Sequence, residues 1–163
     1  MPPASVSVAV KRVTEVVLGW VALSLALNLV WEIAQLPLYT IVRTEPLPRI
    51  AYAVLHCTAG DALVALASFM VAGLATRHLY WPVICPWIGG GTSTSLGLFY
   101  TAYSEWHNVY ETGAWAYAES MPRIFGIGVT PLLQWLIIPV ALVAIFHKRW
   151  RAHATVPRVL TNA

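Results

Sequence analysis

The sequence predicts an all-α integral membrane protein, with four transmembrane helices in an up-down bundle, short loops and both termini cytoplasmic. Three observations carry this. Residues 79–104 and 124–146 contain no charged side chain, and each run exceeds the roughly 20 apolar residues needed to cross about 30 Å of hydrocarbon. The chain is 58% hydrophobic and 10% charged, with mean hydropathy +0.66, more apolar surface than a soluble domain of this size could hide. The apolar runs are continuous rather than alternating and too long for barrel strands.

The elements follow in order, at about 13–35, 50–76, 81–110 and 124–147. The first comes after Lys11 and Arg12 and holds Glu15 and Glu32. It is read as a retained helix rather than a signal peptide, because it runs on into Asn28, Trp31 and Glu32 at helical spacing with no clean cleavage site. The second holds His56 and Asp61. The third opens on Pro82, Pro86 and Gly89-Gly90-Gly91; the glycines lack the flanking pattern of a phosphate loop and suit close packing or a broken helix. The fourth carries Thr130, Pro131 and Gln134, with Pro131 expected to leave a backbone carbonyl without its usual partner. Four spans leave room for one transmembrane domain over 1–163, with no repeat, low-complexity tract or soluble module.

Orientation follows the basic residues. With cytoplasmic termini, Lys11, Arg12, Arg77, Lys148, Arg149, Arg151 and Arg158 lie inside and only Arg43, Arg49 and Arg123 outside. The net charge of +3 then reads as attraction to the anionic inner leaflet, not to nucleic acid. A bacterial inner membrane is the expected location. Cys57 and Cys85 fall too far apart on different helices to bridge and are expected to be packing residues.

The chain has seven acidic residues, and Glu32 and Asp61 lie within predicted spans, where an ionisable group costs at least about 2.5–3.5 kcal/mol and is by default a functional site. Counting from the outer helix ends, Glu32 lies about 6 Å deep, His56 about 9 Å, and Gln134 and Asp61 roughly 15–17 Å. Glu105, His107, Asn108 and Glu111 cluster at the outer end of the third helix. Four helices thus contribute to a polar funnel opening on the periplasmic face. Asn28, Trp31, Glu32 and Gln35 share one helical face. Thr101, Glu105 and Asn108 form one stripe, and Tyr103, His107 and Glu111 another. His56 and Asp61, about 140° apart around their helix, are not expected to serve one small centre.

Each group also has a structural reading. Asn28, Thr101, Thr130 and Gln134 suit interhelical hydrogen bonding. Glu105, His107 and Glu111 fall at the interface, where charge is cheap. Trp106, Tyr110, Trp115 and Tyr117 suit an outer aromatic belt, with Tyr80, Trp81 and Trp87 as its inner counterpart. Glu32, His56 and Asp61 resist this best, although a charge-paired network fixing helix register is the alternative even for them.

The expected function is a membrane-embedded enzyme doing acid-base or metal-assisted chemistry on a lipid or isoprenoid-like substrate. Glu32, His56, Asp61 and Glu105 are its expected catalytic residues, and Asn28, Trp31, Gln35, Asn108 and Gln134 its substrate contacts. Glu32, against an apolar wall including Trp31, is the general acid, His56 its proton partner, and aromatic faces stabilise positive charge. His56, Glu105, His107 and Glu111 have the donor types for a divalent metal, though not in the Glu-x-x-His or His-x-x-x-His spacing of known helical sites. Haem is the lesser option, with His56 and His107 toward one face and His78 and His147 toward the other. A small proton-coupled transporter with Glu32 and Asp61 as stations, and an accessory or cofactor-binding subunit of a larger complex, are the competing classes. Expected partners are membrane lipid and an apolar or amphipathic small molecule, not nucleic acid, with an oligomer or larger complex left open. The segment Asn28-Leu29-Val30-Trp31-Glu32 resembles the Asn-x-x-Trp-Glu stretch of some integral-membrane terpene cyclases. The resemblance covers five residues of enzymes that have more helices, and implies an intramembrane glutamate that supplies a proton.

Overall fold

The computed structural model describes residues 4–151; Arg158, counted above among the inner basic residues, lies outside them. Six helices follow one another: α1 (Ala4–Gln35), α2 (Ile41–Thr44), α3 (Leu47–Thr76), α4 (Trp81–Ile84), α5 (Pro86–Trp106) and α6 (Val129–Arg151). Three of them are long and apolar enough to cross a bilayer, through Val8–Leu38, Leu47–Thr76 and Val129–Trp150. By this the chain is an integral membrane protein. α1 packs on α3, α3 on α5, α5 on α6, and α6 back on α1.

Two elements depart from expectation. The predicted 81–110 helix is broken: Cys85 has φ −133° and ψ 51°, because Pro86 cannot donate a backbone hydrogen bond and disfavours helical geometry in the residue before it. α5 then runs 21 residues and relaxes into a five-residue π-helical turn, His107–Glu111. Its run of glycine, serine and threonine keeps α5 out of the set of three long apolar helices. The fourth helix starts at Val129 rather than 124. Arg123–Ile124 instead pairs antiparallel with Ile127–Gly128, and Phe125 (φ 50°) and Gly126 (φ 84°) form the left-handed turn between them. Pro131 consequently falls in the first turn of α6, where a missing N–H costs no helical bond. The interior proline is Pro139, and the carbonyl deprived of its donor is that of Trp135.

The half of the bundle where α1 starts and α6 finishes is filled by aromatic rings. Trp20 is centred 5.3 Å from Phe69, 5.1 Å from Trp81 and 5.6 Å from Phe146, and Trp81 Nε1 donates to the carbonyl of Phe69 at 3.1 Å. Between helices in lipid the hydrophobic term largely cancels, so close packing must hold this cluster. Each aromatic pair contributes about 0.5–1.5 kcal/mol. Gly89 makes the fit possible, since a Cβ there would overlap the Trp81 indole. Ser68 and Ser93, with hydroxyls 3.0 Å apart, fix the register of α3 against α5.

Candidate functional site

Toward the other end, the same four helices diverge around a cavity of about 270 Å³. Its polar wall begins on α1. Glu32, Gln35 and Tyr39 in the wall, and Asn28 behind it, recur at helical spacing, Tyr39 following the short turn Leu36–Leu38 that continues the helix.

Gln134 on α6 is the hub. An amide carries two donor hydrogens, and its Nε2 sits 2.9 Å from Asn28 Oδ1 and 2.8 Å from Asp61 Oδ2, with Glu32 Oε1 more distant at 3.4 Å. Asn28 is fixed in turn, because its Nδ2 donates to the carbonyl and hydroxyl of Ser24 at 2.9 and 3.0 Å. A chain of oriented amides therefore runs from Ser24 through Asn28 and Gln134 to Asp61. Gln35 Nε2 donates to Glu32 Oε1 at 2.9 Å, and Glu32 Oε1 and Asp61 Oδ2 converge on the one amide nitrogen of Gln134.

Glu105 forms a second centre. It is buried, with Tyr117 OH donating at 2.6 Å and Tyr39 OH at 3.3 Å, while Trp115 Nε1 approaches it without completing a hydrogen bond. Burial, then the negative charge and hydrogen bonding of Glu105, push both tyrosine hydroxyls well above the ordinary phenol range, so they remain donors. The two tyrosines are placed together by backbone contacts: Thr40 N–H donates to Ala116 and Ala118 N–H to Leu38, each at 2.9 Å. Tyr117 OH also accepts the N–H of Gly128 at 3.0 Å, tying the hairpin before α6 to Glu105. The measured hydrogen bonds to the three carboxyl groups come from the amides of Gln35 and Gln134 and the phenols of Tyr39 and Tyr117. No family model, curated protein or solved structure matches the chain.

Of the residues singled out in the sequence, Glu32, Gln35, Asp61, Glu105, Asn108 and Gln134 line this cavity, as does His56. His56 is exposed and stacks on Tyr52, ring centroids 5.7 Å apart, so the group beside Glu32 is Asp61, not His56. His56 and Asp61 border one wide cavity rather than one small centre. Asn28 stands behind Gln134, outside the lining. Trp31 packs against the aromatic cluster with its Nε1 unpartnered and forms no part of the wall; the indoles at the site are Trp115 and Trp135, the latter seated where Gly97 leaves room for its ring. Glu105 is buried rather than solvated. His107 stacks on Tyr103 at 5.8 Å, and Glu111 is exposed. Among the described residues, no three histidine, cysteine or acidic side chains converge as a metal ion requires, so His56, Glu105, His107 and Glu111 do not make one metal centre.

Tyr39 and Tyr117 are the functional candidates that sequence reasoning missed. Tyr39 had a signal: it extends the 28, 32, 35 spacing by four. Tyr117, in a loop, had none beyond resembling an interfacial aromatic.

Proposed function

We propose that this protein is a membrane-embedded enzyme that transfers a proton to a lipid- or isoprenoid-like substrate held in this cavity. It is a bundle of four spans, the third formed by α4 and α5, in a bacterial inner membrane with both termini cytoplasmic. In support of that orientation, Lys11, Arg12, Arg77, Lys148 and Arg149 fall at the end of the bundle where α1 starts and α6 finishes, and Arg43, Arg49 and Arg123 at the end where the cavity lies.

The observation that carries the functional reading is the pair Glu32 and Asp61, side by side in one cavity with amides as their hydrogen-bond donors. Two adjacent carboxyl groups with no lysine or arginine among the residues lining their cavity hold a proton jointly. Glu32 donates it to the substrate, Asp61 shares it and recovers one when the product loses a proton, and Gln35 and Gln134 aim the two oxygens. The faces of Tyr39, Tyr100, Trp115 and Trp135, with Glu105 behind them, stabilise positive charge on the substrate. His56, at the exposed rim, exchanges protons with the surroundings.

The rest of the molecule favours this over a carrier. Beyond the cavity the helices close on Trp20, Phe69, Trp81 and Leu142, all under 2% exposed, an apolar plug across any proton path to the opposite face.

Membranes containing the protein, incubated in deuterated water and extracted, test the reading. A lipid species that gains deuterium with the native chain and not with Glu32→Gln is expected. Lipid labelling that is absent, or independent of Glu32, would overturn it.

A further inference from the structure

Phe125 is fully exposed, at 102% of its reference surface, and its φ of 50° lies where side chains other than glycine seldom go. With Gly126 it fills the two central positions of a two-residue hairpin turn, where asparagine, aspartate or glycine sits at less cost. The ring is thus held against its backbone preference without packing on the molecule that carries it. Such a side chain has its partner outside.

What that partner is follows from where the tip lies. Gly126 C=O accepts the hydroxyl of Tyr110 at 2.7 Å, which ties the tip to the end of α5. Tyr103, Trp106 and Tyr110 recur there at spacings of three and four and stand exposed, the first two rings centred 6.3 Å apart. This is the aromatic surface found where a span meets lipid headgroups. On the other flank, Gly128 leads directly into the span Val129–Trp150. The tip therefore reaches no more than about 10 Å of strand past the start of that span, on the order of the depth of the headgroup layer. Ile124 beside it is exposed as well, and Arg123, exposed and in no ion pair among the described residues, carries the fork that suits a phosphate.

We propose that the hairpin tip is a membrane anchor, with Phe125 and Ile124 inserted into the leaflet at the cavity end and Arg123 on a phospholipid phosphate. The anchor bears on the cavity, because Gly128 at the base of the hairpin donates to Tyr117 OH, which donates to Glu105. Lipid at the tip thereby steadies the wall that holds Glu105. None of this depends on the chemistry assigned to Glu32 and Asp61.

The test places a nitroxide on single cysteines of the full-length protein, with Cys57→Ala and Cys85→Ala, in phosphatidylethanolamine–phosphatidylglycerol nanodiscs. Collisions are measured with oxygen, which concentrates in hydrocarbon, and with a water-soluble nickel chelate. A label at Phe125→Cys should meet oxygen more and the chelate less than one at Glu119→Cys in the exposed loop, approaching Val140→Cys, exposed within the span. Should Phe125→Cys disturb the turn, Ile124→Cys carries the same expectation. Chelate collisions equal to those at Glu119→Cys overturn the anchor, and shielding from both reagents overturns lipid as the occupant in favour of a protein surface. Phe125→Asn tests the link to the cavity, since asparagine suits the turn and removes only the ring. Backbone amides of residues 123–129 should then exchange hydrogen at least about tenfold faster in nanodiscs. Unchanged exchange overturns the link.

Discussion

Gln134 of α6 holds Asp61 of α3 by a hydrogen bond of 2.8 Å, so the acidic pair is aimed by a helix that supplies no acid itself. The same amide group binds Asn28 of α1. One side chain thus joins three helices at the depth where a misplaced polar group is most costly.

Removing that hub should be felt in both stability and chemistry. Gln134→Leu leaves Asn28 Oδ1 and Asp61 buried without their donor and is expected to destabilise the protein by about 1–3 kcal/mol, read as a lower Tm in nanodiscs, with loss of lipid labelling. Gln134→Asn, which retains the donors on a shorter arm, should fall between this variant and the native chain. Native Tm in Gln134→Leu would mean that the amide chain is not holding the helices.

The two tyrosines on Glu105 should separate by geometry. Tyr117 donates at 2.6 Å and also receives Gly128 N–H, whereas Tyr39 donates at 3.3 Å. Tyr117→Phe should therefore lower Tm more than Tyr39→Phe, with the larger loss within the roughly 1.5–3 kcal/mol of a hydrogen bond to a charged group. Equal effects would remove Tyr117's distinct role.

Alkaline pH gives the same pair a signature. Both hydroxyls titrate higher when folded than unfolded, so their stabilisation is complete below the ordinary tyrosine value of about 10 and is lost as pH rises above it. Tm measured from neutral to strongly alkaline pH should fall above that point, and less steeply in the Tyr39→Phe/Tyr117→Phe double variant. A parallel decline in both proteins would contradict the assignment.

Packing beside the site supplies a glycine contrast. Gly97→Ala drives a methyl group into Trp135, whereas Gly91→Ala meets nothing. The first is expected to cost about 1–3 kcal/mol through overpacking, and the second to be neutral or to gain from helix propensity, by up to about 1 kcal/mol. Thermal unfolding of the two variants checks the difference.

How much of this was legible varies with the physics that decides each element. The long helices α1 and α3 were, because continuous apolar runs leave lipid no alternative backbone arrangement. Residues 124–128 were misjudged because Ile124, Phe125 and Ile127 look like helix to a hydropathy count, while the turn at Phe125-Gly126 is a local backbone choice that hydropathy does not carry. Glu32, Gln35 and Gln134 were found because a polar group in an apolar run is costly and helical spacing shows which of them share a face. That Asp61 rather than His56 stands beside Glu32 was not legible, since the rotation of α3 about its own axis is set by contacts such as Ser68 with Ser93, not by its own periodicity. Glu105 looked cheap at a helix end; its burial comes from the loop that brings Tyr117 over it.

Topology has its own check. In a chain with Cys57 and Cys85 replaced by alanine, single cysteines at Thr44 and Thr112 should react with an impermeant reagent from the periplasmic side, and one at Arg77 should not. Labelling of the Arg77 position from outside would turn the cavity toward the cytoplasm.

The central claim is a proton held between Glu32 and Asp61, and infrared spectroscopy of the protein in nanodiscs tests it most directly. The native chain at neutral pH should show the C=O stretch of a protonated carboxyl group that shifts in deuterated water and disappears in the Glu32→Gln/Asp61→Asn double variant while folding is retained. A native spectrum with carboxylate bands alone, or a protonated band that survives the double replacement, would contradict it.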